Sequence, residues 1–178
     1  MRKIIFFLFL ISSMSSVHAD NFVCEHDLQD SLMQMLIRFS PYCKRDYHYI
    51  DSRYGCFKGE NTMANDEKGV RTNADLSMIC AFLTKFGGCH DLDSIAYKTL
   101  CYAVDTHKAI RKTTCKNGKY WGSMSSADNQ WESSLWAMSV AYSAYFQWNR
   151  LSDEMKSNIH TLLSAECNYE LERTIPTG

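Results

Sequence analysis

The stretch KYWGSMSSADNQWESSLWAMSVAYSAYFQW, residues 119–148, decides the fold class. A polar loop carrying two tryptophans runs into a helix-length segment that is apolar on nearly every face. A helix without a polar face is wrapped by protein on all sides, which predicts an inner helix of an all-α domain. Asn129 with Glu132 three residues on has capping-box spacing and sets this helix at 129–148. At its mouth Tyr120, Trp121 and Trp131 place flat rings beside Glu132. Ring faces that stack on sugars and polar tips that reach hydroxyls suit a carbohydrate site.

The flanking segments repeat the pattern. Thr72 with Asp75 opens a helix to Phe86 that Gly87-Gly88 closes. Another runs from about Asp91 to Ala109, with His107, Lys108 and Arg111 near its negative end. Ser152, followed by Asp153 and Glu154, caps a last helix to about Arg173. A first amphipathic helix covers Asp27 to Phe39 and ends at Pro41. Residues 42–70 hold no sustained period and read as irregular, and a loop that long is more often functional than idle.

The four long helices form two hairpins in which the first member is the more uniformly apolar: Leu76 to Leu83 in one, Leu135 to Phe146 in the other. Alternation of buried and half-exposed helices predicts helical hairpins of an incomplete α/α toroid, which a plain four-helix bundle does not require. The expected organisation is a signal peptide at 1–19, an N-terminal helix and long loop at 20–70, and two hairpins at 71–178. Two hairpins do not close a ring, and Ile175-Pro176-Thr177-Gly178 reads as a turn towards a further element, so a fragment of a longer protein is expected.

Arg2 and Lys3, the apolar run Ile4 to Ile11 and Val17-His18-Ala19 form a secretory signal too short to span a bilayer. The expected location is periplasmic or extracellular, with no membrane association after cleavage. Removing residues 1–19 leaves a formal charge of about −3, which disfavours a nucleic-acid partner. Eight cysteines in an exported chain permit disulfides, with 105 connectivities open. Cys80 and Cys101 fall in apolar helix patterns and read as buried thiols, whereas Cys43, Cys56, Cys89 and Cys115 lie in loops and are better bridge candidates. No C-x-x-C or H-E-x-x-H occurs, and His26, His48, His90 and His160 show no ligand spacing, so neither metal nor cofactor is expected. No hydrolase-elbow, P-loop or dinucleotide motif is present.

Antiparallel hairpins bring the starts of inner helices and the ends of outer ones to one rim. That rim gathers Arg71, Asn73 and Asp75, the segment Tyr120 to Glu132, and Glu166 to Arg173. Glu132 is the leading candidate for general acid or base, because flanking indoles can desolvate it; its other role is cap partner of Asn129. Asp75 has the same two roles. Tyr120, Trp121, Trp131 and Asn73 are candidate sugar-binding residues, with Tyr169 and Arg173, whose guanidinium suits a uronic-acid carboxylate. The alternative for the last helix is a solvated face laced with ion pairs. Trp136, Tyr142, Tyr145, Phe146 and Trp148 read as core. His107 reads as a dipole-compatible cation first and a proton shuttle second.

The run YWGS…QWESSLWAMSVAYSA…AECNYELERTIPTG, within residues 71–178, resembles the N-terminal part of secreted polysaccharide-utilisation proteins of gut-type Gram-negative bacteria. Such proteins are similar in plan to glucuronidases, unsaturated-glucuronyl hydrolases and heparinase-type lyases of α/α-toroid fold. The resemblance implies an acidic-sugar substrate and an aromatic-lined cleft, and it assigns no catalyst. The expected function is that of an exported carbohydrate-active protein, a piece of a glycoside hydrolase acting on uronic-acid-containing glycans. Its partner is an oligosaccharide or polysaccharide. The alternatives are a piece of a polysaccharide lyase and a non-catalytic glycan-binding helical module, and this chain alone is not expected to hold a complete catalytic set.

Overall fold

The computed structural model describes residues 22–58, 66–124 and 132–172, with residues 22–25 and 66–71 described by their backbone alone. The signal segment, Asn129, Trp131, Arg173 and the Ile175–Gly178 turn lie outside the described residues. The chain is mostly helical and divides after Arg38 into two units. The first contains α1, Phe22–Ile37, on which Leu28 and Met35 are exposed. No helix among the described residues is long and apolar enough to cross a membrane.

The second unit opens with α2, Ser40–Asp46, which has Pro41 in its first turn. Pro41 therefore begins a helix instead of merely ending the one before it, because its fixed φ and missing N–H suit a first helical turn. A two-stranded hairpin follows, β1 Tyr47–Tyr49 against β2 Gly55–Phe57, with His48 opposite Cys56. Its turn is held by Asp51, whose Oδ1 accepts from the backbone N–H of Arg53 and Tyr54 at 2.7 Å each. A Cβ at Gly55 would lie 2.3 Å from the Tyr47 ring, which would have to move aside for any larger residue.

Then come α3 Asp66–Phe86, a 3₁₀ turn His90–Leu92, α4 Asp93–Asp105, α5 Ser133–Gln147, a 3₁₀ turn Trp148–Arg150 and α6 Asp153–Glu172. Helix α3 starts six residues before the expected Thr72 and carries Gly69 in its interior, a position that costs roughly 1 kcal/mol against alanine. The continuous buried face from Thr72 to Met78 outweighs that penalty. Its end is as expected, with Cys89 N–H returning to the Leu83 carbonyl at 3.2 Å and Gly88 at φ +68°. Helix α4 stops at Asp105, short of Ala109, because Lys112 and Thr113 donate to the Asp105 carbonyl and Thr106 Oγ1 takes that of Tyr102. Ser152 caps α6 as expected, accepting Met155 N–H at 3.2 Å.

The largest helix contact joins α3 and α5, and α3 packs almost as widely on α4. The pairs Asp75–Ser139, Ser77–Ser143 and Phe82–Phe146 ascend both helices together, so α3 and α5 run parallel. Serines let the backbones approach, and their buried hydroxyls form a directed chain. Gln147 Nε2 donates to Ser143 Oγ at 2.9 Å, Ser143 to Ser77 Oγ at 2.6 Å, and Ser77 to the Ala96 carbonyl of α4 at 2.8 Å. Every hydroxyl in the seam is satisfied, which buried polar groups require. Around it Leu100, Val104, Trp121, Trp136, Val140 and Leu162 form the apolar core. Helix α5 is not wrapped on all sides, since Leu135, Tyr142 and Tyr145 are exposed.

The segment expected to be irregular is bound to the helices by polar contacts. Phe57 N–H donates to Asn73 Oδ1 at 2.5 Å, and Lys98 Nζ to the Asp51 carbonyl at 2.6 Å. Arg53 Nε and Nη2 converge on Oδ2 of the fully buried Asp105 at 2.9 and 2.7 Å, joined by the Tyr54 hydroxyl at 3.0 Å. Burial and the Asp105 carboxylate push Tyr54 up to about 12 from an ordinary value of 10.0. A raised folded-state value means that the stability contributed by protonated Tyr54 is full below pH 10.0 and is lost as pH rises towards 12. Tyr54→Phe is expected to make the alkaline fall in the urea midpoint shallower than in the parent chain over that window. An unchanged alkaline slope would show that other groups govern it.

Candidate functional site

The expected convergence of the α5 start with the end of α6 is present, and its centre is Glu166 of α6 rather than Glu132. Glu166 is buried. Its Oε1 accepts from Ser123 N–H at 2.6 Å and lies 2.9 Å from His107 Nε2, while its Oε2 accepts from Ser133 Oγ at 2.6 Å. Ser133 has one hydroxyl hydrogen, committed to Glu166, so Ser123 Oγ is the donor in the 2.9 Å contact between the two serines. Ala109 N–H donates to His107 Nδ1 at 3.1 Å, which leaves the proton on Nε2 and makes the imidazole neutral. Three donors from three segments thus meet one carboxylate.

Local backbone makes this possible. After α4 the chain returns through a parallel bridge between His107 and Trp121, with Lys108 N–H donating to the Trp121 carbonyl at 2.8 Å. Gly122 follows at φ +96°, and a Cβ there would lie 2.0 Å from His107 Nε2 and 2.9 Å from Glu166 Oε1. Only glycine both adopts this backbone and leaves room for the imidazole. Both imidazole nitrogens are committed, so no serine here is activated as a nucleophile. His107, read from sequence as a dipole-compatible cation first and a proton shuttle second, is fully buried with both ring nitrogens hydrogen-bonded.

The residues singled out from sequence divide sharply. Trp121 is fully buried, its Nε1 donating to the Ala103 carbonyl at 2.7 Å and its ring edge-on to His107 at 4.6 Å. Tyr169 is buried as well. Neither offers a ring face to a sugar in this structure, because the hydrophobic gain from burying such rings outweighs their display in a loop. Asn73 is held in the core by Phe57, and Asp75 by Ser139 Oγ at 2.7 Å between α3 and α5. Tyr120 is half-buried under the Arg111 guanidinium, 5.6 Å from the ring centre. Glu132 is half-buried at the start of α5 and makes no side-chain cap bond. Trp131 and Arg173 lie outside the described residues.

Two open concavities are lined by described residues. An apolar groove of about 500 Å³ runs between α5 and α6, bordered by Met138, Leu163 and Leu171, with Glu166, Glu170 and Cys167 along one wall. At the opposite end of the helices, a cleft of about 460 Å³ is lined by Tyr145, Phe146, Gln147, Trp148, Lys85 and Arg150. Tyr145 is 68% and Trp148 47% exposed, although both read as core in the sequence. Lys85 Nζ sits 5.2 Å from the Tyr145 ring centre, 5.6 Å from Phe86 and 5.9 Å from Phe146. Arg150 pairs with Asp93 and covers Tyr97. Gln147 is buried, and its Oε1 has no hydrogen-bond donor among the described residues. A signal for this cleft was available: successive helical residues project about 100° apart, so four bulky ones in a row, Tyr145 to Trp148, cannot all face inward.

Comparison of the chain with protein-family models, curated proteins and solved structures finds no match. Among the described residues no cluster of His, Cys, Asp and Glu is placed to hold a metal ion.

The Glu166 node predicts a graded mutational response. In Glu166→Gln an amide nitrogen at the Oε2 position donates to Ser133 Oγ, which turns its hydrogen to Ser123, so the loss is expected to be about 1–2 kcal/mol. Glu166→Ala strands the His107 and Ser123 donors and is expected to lose about 3–5 kcal/mol. Gly122→Ala should resemble the alanine variant, since strain and overlap act together. Urea unfolding midpoints measure all three, and equal values for Gln and Ala would show that the carboxylate position is not hydrogen-bonded as described.

Proposed function

We propose that the protein is an exported carbohydrate-active protein of α/α-toroid plan that engages glycans containing uronic acids. The observation that carries this reading is the cleft at the ends of α3 and α5. Exposed aromatic faces stack on the apolar faces of sugar rings, and Tyr145 and Trp148 present such faces to the cleft. Lys85, lodged among three rings and without a carboxylate partner among the described residues, suits a uronate carboxylate. The parallel packing of α3 on α5, with α4 and α6 as their hairpin partners, supports the toroid plan, because adjacent inner helices of a toroid run parallel. Residues 1–19 support export to the periplasm or the exterior.

Binding is measured with oligogalacturonates and with neutral oligosaccharides of equal length. Lys85→Met is expected to weaken acidic-oligosaccharide binding roughly five- to tenfold and to leave neutral binding unchanged, consistent with about 1 kcal/mol for an exposed charge contact. Trp148→Ala is expected to weaken both. Failure of the parent chain to bind either sugar would overturn the proposal.

Hydrolysis is the second reading, favoured by carboxylates at the other end of the same helices. The Ser133–Glu166 hydrogen bond brings the α5 start to the last turns of α6, so Glu132 and Glu170 share that rim. A glycosidase needs two carboxylates about 5–10 Å apart. In this reading Glu132→Gln retains cleft binding and loses turnover by orders of magnitude, while unchanged turnover removes Glu132 from the mechanism. A lyase would be distinguished by a product absorbing in the ultraviolet.

A further inference from the structure

Neither the cleft nor the Glu166 node uses the thiols of the second unit, and two of these meet. Cys43 on α2 and Cys80 on α3 are buried, and their sulfurs are in hydrogen-bond contact. The helices that carry them pack together, and the Lys44–Asp91 ion pair joins α2 to the turn that follows α3. Sequence pattern separates the two residues, placing Cys43 in a loop and Cys80 on an apolar helix stripe. Their juxtaposition is a tertiary fact.

We propose that Cys43 and Cys80 are the two halves of a disulfide that fastens α2 to α3 when the chain meets a disulfide oxidant such as oxidised glutathione. Disulfides need sulfurs already near contact with little backbone movement, and this pair meets that condition. Within the pair Cys80 donates to the Cys43 sulfur, which holds the Cys43 thiol below its ordinary value, while that same bond and burial push Cys80 up. Cys43 is 7% exposed against 0% for Cys80, and its neighbours Tyr42, Lys44 and Arg45 are exposed, so Cys43 is the sulfur an oxidant reaches first and the attacking group.

The chemistry balances in two exchanges. The Cys43 thiolate attacks one sulfur of the oxidised glutathione, the glutathione S–S bond breaks, and the departing thiolate takes a proton from water. Cys80 then releases its proton and attacks the Cys43 sulfur of the mixed disulfide, expelling the second glutathione. Two protein thiols are oxidised and one glutathione disulfide is reduced to two thiols. The crosslink closes a long segment that includes the β1–β2 hairpin, the situation in which a disulfide most restricts the unfolded chain. Cys89, which follows the end of α3 and donates to the Gly87 carbonyl at 3.6 Å, is the nearest competitor.

The test is to equilibrate the purified full chain with glutathione of graded redox ratio, quench in acid, alkylate after unfolding and map linked peptides by mass spectrometry. The expected result is a linked peptide joining Cys43 to Cys80 that has lost two hydrogens, with the urea midpoint higher in the oxidised than in the reduced protein. In Cys80→Ser, Cys43 is expected to remain as a stable glutathione adduct. Linkage of either residue to Cys89 instead, or full alkylation of both thiols in the parent chain under the most oxidising buffer, would overturn the proposal. The parent-chain map decides the matter even if the variant fails to fold.

Discussion

Everything at one end of the second unit depends on a single buried carboxylate. Glu166 receives donors from the loop after α4, from the loop before α5 and from the first turn of α5, so one side chain fixes where three segments end. A charge this deep is tolerable only when fully hydrogen-bonded. The requirement propagates outward: it engages His107 Nε2, leaves no room for a Cβ at residue 122 and sets the His107 ring edge-on to the buried Trp121.

A second polar device, the Gln147–Ser143–Ser77–Ala96 chain, runs along the seam between α3 and α5. Small hydroxyl side chains give close helix approach, and the directed hydrogen bonds set the register of the two helices. The hairpin of residues 47–57 is pinned by Arg53, Tyr54 and Asn73 in the same manner. Apolar burial supplies the driving force, while hydrogen-bonded polar residues determine which alignment of the helices is adopted.

Much of the helical plan was legible. Gly87-Gly88 and Ser152 bound helices where their chemistry says they must, and Trp136 lies in the core as its position implies. Boundaries differed where packing and loop contacts intervened: α4 stops at Asp105 because the N–H groups of Lys112 and Thr113 in the following loop take its carbonyl, and α3 extends ahead of Thr72 because its buried face outweighs Gly69. The site was half legible. Convergence of the α5 start with the end of α6 followed from hairpin geometry, but the choice of Glu166 over Glu132 did not, because which carboxylate is surrounded by donors depends on three segments remote in the chain.

The sequence by itself determined an all-α chain with helices near these positions, since periodicity, caps and glycine stops act within a few residues. Only the tertiary structure decided which aromatics face water and which sulfurs meet. Trp121 and Trp148 are equally hydrophobic, yet one is buried against His107 and the other lies on an open cleft, because burial depends on whether a neighbouring element covers the ring. Cys43 and Cys80 lie far apart in sequence and touch for the same reason: contact is a property of packed elements, and local pattern carries no record of which faces will pack.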